Sequence, residues 1–147
     1  ITFLVSMNAG ERLRPLQATA SGGELSRFML GLKTVFTRLT GIDTIIFDEI
    51  DTGISGITAG KVAEKMHLIG ESRQVLCITH LAQIAAMADA HYAIEKAANA
   101  SSTRTQIHIL EEEESVQELA RLLGGAKITK NILESAREMK ELAKREI

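Results

Sequence analysis

The sequence is poor in several features that would point to a class of protein at once. Its 147 residues hold a single cysteine, Cys77, so no internal disulfide can form, and a lone thiol fits a reducing compartment. There is one proline, Pro15, and hence no proline-rich linker; with no internal repeat either, no second domain is expected. No apolar run approaches the ~20 residues needed to cross a bilayer, which speaks against a membrane helix. Neither sign of charge dominates, because 17 basic against 19 acidic residues leave a net charge of -2. That balance lacks the basic footprint of a duplex-binding surface, so contact with nucleic acid would need a local patch or another part of a longer protein. The opening residues, Ile1 to Val5, lack the charged, apolar and small-residue regions of a signal peptide and read as the middle of a domain. The chain is therefore expected to be a piece of something longer, with part of any site missing.

What is present is ordinary for a folded protein: 45% hydrophobic and 24% charged residues. A chain of this size buries roughly 70% of the surface its unfolded form exposes, enough for a real core. A short strand is expected over Thr2 to Val5. Leu25, Phe28, Met29, Leu32, Val35, Phe36 and Leu39 recur at the three-and-four spacing of one helical face, and Gly41 is placed to end that helix. Ser21-Gly22-Gly23-Glu24 fits a capping box at its start. Thr44 to Asp48 is a continuous apolar run ending on an acid, the pattern of a parallel strand buried on both faces. A helix over 58–69 follows, with Ala59, Val62, Ala63 and Met66 inward, then a second apolar strand from Gln74 to Thr79 that runs into His80.

A short helix over 81–88 and a strand over 92–94 complete an alternation of strand and helix, which predicts an α/β fold with a mostly parallel sheet flanked by helices. The small, polar stretch from Lys96 to Ser102 reads as a loop, and the alternating segment from Arg104 to Ile109 as a hairpin partner or edge strand. Glu111 to Glu114 suit a helix start, where acids complement the macrodipole. Two helices close the chain. The first carries Val116, Leu119, Ala120 and Leu123 and ends at Gly124-Gly125; the second runs over 129–147 with Ile132, Leu133, Ala136, Met139 and Leu142 inward.

Three places along the chain carry candidate chemistry. Two glycines at a helix start let backbone N–H groups approach an anion while the dipole favours negative charge, so Ser21, Gly22 and Gly23 suit a phosphate; the same residues also fit a plain cap and tight turn. Asp48 and Glu49 follow a strand in a sheet type that binds ligands beyond its carboxyl ends, which suits one acid for a metal and the other for water activation; an ordinary acidic turn, continued by Asp51, reads equally well. If the strands ending at Asp48 and Thr79 form one β-α-β unit, their carboxyl ends share a sheet edge, about 5 Å apart when adjacent and about 10 Å when one strand intervenes. His80 would then join the acids. Gly56 to Val62 imitates a phosphate loop, but its glycines are one residue too close and Val62 replaces the magnesium-binding hydroxyl.

Taken in order, these pieces resemble ABC-type ATPases: Ser21-Gly22-Gly23-Glu24 is similar to their signature motif, Ile45-Ile46-Phe47-Asp48-Glu49 to their Walker B strand, Asp51 to their D-loop and His80 to their switch histidine. Within that superfamily the stretches Ala20 to Arg27, Phe47 to Gly56 and Cys77 to Leu81 resemble a DNA-repair branch of the structural-maintenance-of-chromosomes (SMC) ATPases, with likeness from about Phe3 to Met139. Ala82 departs from it, standing where proline is common. Ala20 and Glu24 depart from transporter ATPases, which usually carry Leu and Gln there.

The resemblance implies that residues 1–147 are the C-terminal part of an SMC-like ATPase head in the P-loop NTPase superfamily. An N-terminal half would supply the Walker A loop, and a coiled coil would separate the two. It implies ATP and Mg2+ as cofactors, with two ATP molecules sandwiched between two heads of a homodimer. Asp48 would then hold magnesium through water, Glu49 would be the base, and His80 would contact the γ-phosphate. Ser21, Gly22, Gly23 and Glu24 would form the signature turn facing the partner's nucleotide, and Asp51 would communicate across the dimer. It also implies DNA as a partner of the full-length protein, no membrane, a role in double-strand-break repair and recombination, and a bacterial cytoplasmic, nucleoid-associated setting. Two other readings use the same residues: a metal-dependent nuclease or phosphatase built on Asp48, Glu49, Asp51 and His80, and a non-catalytic dimerisation module.

Overall fold

The computed structural model describes residues 2–6, 10–36, 41–99 and 102–145, and the chain divides into two compact units, Ile1–Thr79 and His80–Ile147. In the first unit, β1 (Leu4–Val5) pairs antiparallel with β2 (Arg14–Pro15), and α1 (Leu16–Thr19) follows directly. Next come α2 (Gly22–Phe36), β3 (Thr44–Phe47), α3 (Gly56–Gly70) and β4 (Gln74–Cys77). β3 and β4 are hydrogen-bonded parallel neighbours with Phe47 opposite Cys77, so the β-α-β unit expected from the two apolar runs is present in its adjacent form. The imitation phosphate loop from Gly56 to Val62 is the opening of α3 itself.

The core of this unit gathers Leu30 of α2, Ile45 and Phe47 of β3, Ile50 of the following loop, and Ala59, Val62, Ala63, Met66 and Ile69 along one face of α3. Two expectations about covering are corrected. β3 is buried on one face only, with Ile45 and Phe47 in and Ile46 61% exposed, because α3 lies against one side of the pair and no described element of this unit covers the other. The apolar stripe of α2 forms as a helix, yet Leu25, Met29, Val35 and Phe36 remain exposed, Phe28 and Leu32 are half-buried, and Leu30, off the expected stripe, is the leucine buried fully. Leu39, placed on the same stripe, lies outside the described residues.

The second unit holds α4 (Ala82–Ala85), β5 (Tyr92–Asn99), β6 (Ser102–Ile109), α5 (Glu112–Gly124) and α6 (Lys130–Arg145). β5 and β6 make a long antiparallel hairpin from Tyr92 opposite Ile109 to Asn99 opposite Ser102, so most of the stretch expected to be a polar loop is strand. Register explains this: once Tyr92–Ile109 and Ile94–Ile107 align, the ladder continues through Lys96–Thr105 to Asn99–Ser102. The architecture is thus mixed α/β, and the parallel part of its described sheets is the β3–β4 pair; the other two are antiparallel ribbons.

Ala82, Ala85, Ala86, Val116, Leu119, Ala120, Ala136 and Ala143 form the core of this unit, with Ile132, Leu133 and Met139 packed against it. Gly125, at φ 65°, ends α5 as expected, and its N–H bonds the carbonyl of Arg121. On α6 the inward set is corrected: Leu142 is half exposed, and Lys140 turns in. On α5, Leu123 is likewise at the surface and Ser115 is inside. Small alanines bring α5 and α6 close, and the space left by the helix face is filled by the stem of a lysine whose amine finds a partner.

Candidate functional site

The start of α2 is held by its own side chains. The Ser21 hydroxyl and backbone N–H both donate to the Glu24 carboxylate at 2.8 Å, the Glu24 N–H reaches back to the Ser21 oxygen at 3.4 Å, and the Leu25 N–H bonds the Ser21 carbonyl. This is the expected capping box. The Ser21 bonds, backbone first, hold the Glu24 carboxyl below its ordinary range, with a smaller contribution from the Arg27 charge. Glu24 is therefore ionised at neutral pH, and the Ser21 proton is committed to it.

The acids lie just past the end of β3. Asp48 and Glu49 are both exposed, and Glu49 has φ 56°, the one positive value among the described residues that are not glycine. That left-handed conformation costs a residue with a Cβ on the order of 1–3 kcal/mol and persists only where neighbours impose it. Here the neighbours are visible. Ile50 is fully buried, Asp51 is 3% exposed and accepts a 2.6 Å hydrogen bond from the hydroxyl of Thr79, two residues past β4, and the Thr52 N–H closes a turn onto the Glu49 carbonyl at 3.2 Å. A second turn follows from the Ile54 N–H to the Asp51 carbonyl, with Gly53 at φ 74° supplying the conformation that other residues resist.

The cap and the acid loop meet. A side chain at Gly23 would run into the Thr52 carbonyl, so the glycine is required by contact within the chain. One turn further along α2, Arg27 donates from Nη1 to the carbonyls of Thr52 at 2.9 Å and Ile50 at 3.4 Å. Of the residues singled out by sequence, Ser21, Gly22, Gly23, Glu24, Asp48, Glu49 and Asp51 thus lie on two linked segments of the first unit; His80 is exposed at the start of the second. Arg27 and Thr79 were not singled out. The available signal for Arg27 was its position four residues after Gly23, on the same helix face.

Burial, followed by the Asp51 and Asp48 carboxylates, pushes the Cys77 thiol up to about 11, which makes it a poor nucleophile. Among the described residues no three His, Cys, Asp or Glu side chains are grouped to hold a metal ion by themselves. Among the described residues, too, no helix is long and apolar enough to cross a membrane.

The fold has a counterpart among solved structures, and the sequence has relatives among known proteins. The fold matches that of a solved structure from work on ATP-driven dimerization and DNA-stimulated activation of SMC ATPases, with a TM-score of 0.55 and 20% identity over 81% of this chain and 71% of that one. The architecture is therefore of the SMC ATPase type. In sequence, the chain is 46% identical over 97% of its length to the DNA repair protein RecN of Halalkalibacterium halodurans, and 45% and 50% identical over 95% to those of Bacillus subtilis and Treponema pallidum. It spans about a quarter of the length of these curated relatives, 24–25%. Over that stretch the chain is RecN-like. No family model matches it.

Proposed function

We propose that the chain is the C-terminal part of an SMC-like ATPase head that works in bacterial double-strand-break repair and recombination, with ATP and Mg2+ held between two heads of a homodimer. The observation that carries this reading is the join just described: an acid pair beyond a parallel strand, and a glycine-rich helix start packed on the loop that follows it. The rest of the head would supply the Walker A loop, and DNA would be engaged by the full-length protein in the cytoplasm, at the nucleoid.

The residues present fit such a nucleotide. Magnesium keeps most of its waters and takes one or two carboxylates beside the phosphates, so exposed Asp48 suffices without a three-ligand cage. Bound MgATP would supply the phosphoryl group and its charge neutralisation. Glu49, held by its backbone at the loop's outer side, accepts the proton of the attacking water. His80 would contact the γ-phosphate. Gly22, Gly23 and Ser21 offer backbone and hydroxyl donors to the nucleotide of the opposite head, for which the Ser21 proton must leave Glu24. Asp51 is turned inward to Thr79, so its part in communication between heads runs through the loop it anchors.

In the full-length protein, Glu49→Gln should lower ATP turnover by on the order of 10² to 10⁴ while binding persists and an ATP-bound dimer accumulates. Asp48→Asn should instead weaken magnesium-dependent binding. Ser21→Arg should leave each head's own ATP bound and block ATP-driven pairing. Steady-state assays with size measurements read all three, and near-normal turnover by Glu49→Gln would remove the assignment of Glu49 as base.

A further inference from the structure

We infer that Arg27 is a positioning residue for hydrolysis: its guanidinium ties the acid-loop backbone to α2 and thereby keeps Glu49 in its left-handed conformation. This rests on the reading of Glu49 as the base. The loop over 48–53 has three anchors after Glu49. The Ile50 side chain is buried, the Asp51 carboxylate is bonded to Thr79, and the carbonyls of Ile50 and Thr52 accept from Arg27. The first two act through side chains, and the Thr52 and Ile54 turn bonds act within the loop itself. Arg27 alone among these three acts on the peptide units themselves, at the residue after Glu49 and at the residue whose N–H closes the turn onto the Glu49 carbonyl.

A positive φ at Glu49 is one of two backbone states that turn the peptides on either side of it, and Arg27 holds the next carbonyl along, that of Ile50, and so restricts how the chain can leave Glu49. Rotating the Ile50 or Thr52 carbonyl away would break a charge-assisted bond that a neutral donor could not replace at equal strength. The same guanidinium sits on α2 one turn beyond Gly23, whose missing side chain lets the Thr52 carbonyl come close enough to be reached. Gly23 and Arg27 are thus two halves of one device. The glycine permits the approach, and the arginine holds it. Loop and signature turn therefore move as a single body, so any displacement of the Ser21 turn is carried to the backbone of Glu49.

The test uses the full-length protein with Arg27→Ala and Arg27→Lys, each with Glu49 intact and with Glu49→Gln. Amide hydrogen exchange at Thr52 and Ile54 reports the loop turns, and exchange at Met66 and Leu76 reports whether the unit remains folded. Arg27→Ala should speed exchange at Thr52 and Ile54 only. It should also lower kcat by about ten- to a hundredfold, the range typical when a group that orients a reacting residue is lost, with KM for ATP changed less than about twofold. Arg27→Lys, which keeps a charged donor, should recover part of both effects. In the Glu49→Gln background Arg27→Ala should cost less than about a further twofold, because a residue acting through Glu49 has nothing left to position. Unchanged exchange at Thr52 and Ile54, or losses in kcat that multiply across the two backgrounds, would overturn the inference. Near-normal turnover by Glu49→Gln with a loosened loop in Arg27→Ala would remove the base reading while leaving the Arg27 tether in place. A slow Glu49→Gln with an undisturbed loop would remove the tether alone.

Discussion

The two units of this chain use internal polar bonds for opposite ends. In Ile1–Thr79, Asp51, Thr79 and Arg27 are bonded around a loop whose outer residue, Glu49, carries the unfavourable backbone. In His80–Ile147 the buried polar cluster lies between helices: the Lys140 amine donates to the Ser115 hydroxyl at 2.5 Å, and Ser115 meets His91 Nδ1 at 2.8 Å. There the described residues have no positive φ except at Gly125. One network holds a conformation that exposes an acid; the other satisfies groups that packing has brought inside. A buried polar contact therefore says little about function until one asks whether it opposes strain or merely avoids an unpaired group.

The largest effect that would sharpen this contrast is in the second unit. Leu119 is fully buried, and Leu119→Ala should cost about 2–5 kcal/mol of that unit's stability. Denaturant unfolding should show it, while amide exchange at Thr52 and Ile54 stays unchanged; a loosened acid loop would break the separation drawn above. Next comes Gly23→Ala, where the new methyl meets the Thr52 carbonyl and one of the two must shift, at about 1–3 kcal/mol. Here the loss of turnover should exceed what the loss of folded protein explains. A variant with normal turnover would mean that the turn and loop need not touch.

A smaller effect belongs to His91. Burial first, then the Lys140 charge, hold its pKa below the ordinary histidine value of about 6.5, against a weaker opposing pull from Glu118. The folded state thus resists a proton that the unfolded chain accepts. Stability is complete above about pH 6.5 and is lost as pH falls below it towards the depressed value. The slope should stay under about 1.4 kcal/mol per pH unit, since one half-exposed ring is involved. Unfolding midpoints between pH 5 and 8 should show this slope in the native protein and a flatter one in His91→Asn. The smallest effect is expected at the surface, where Lys144 pairs with Glu112 across α5 and α6 at 2.7 Å. Lys144→Ala should cost about 0.2–1 kcal/mol at low salt and less at high salt.

Much of this was legible in the chain. The two apolar runs over 44–48 and 74–79 announced two strands of one β-α-β unit, which the structure places side by side, the Ser21–Glu24 spacing announced a capping box, and Ala59, Val62, Ala63 and Met66 marked the buried face of α3. Each is a local pattern whose period or spacing is enforced by backbone geometry. The candidate acids and glycines were legible for the same reason, since strand ends and helix starts are local events. The extension of β5 and β6 was not, because it depends on pairing between segments that are individually neutral.

By itself, then, the sequence determined the order of elements from α2 onward, the caps at Ser21 and Gly125 and the segments on which the candidate chemistry sits, while β2 and α1 were not foreseen. Tertiary structure alone decided that Lys140 rather than Leu142 faces inward, that β3 is covered on one side, and that Glu49 takes a left-handed backbone. It also decided which residue reaches the acid loop: Arg27, across 23 and 25 positions of chain to Ile50 and Thr52. The physical reason is one of range. Periodicity and capping act over one turn or one strand pair, whereas burial, close approach and shared hydrogen bonds depend on what the folded chain brings together from far apart.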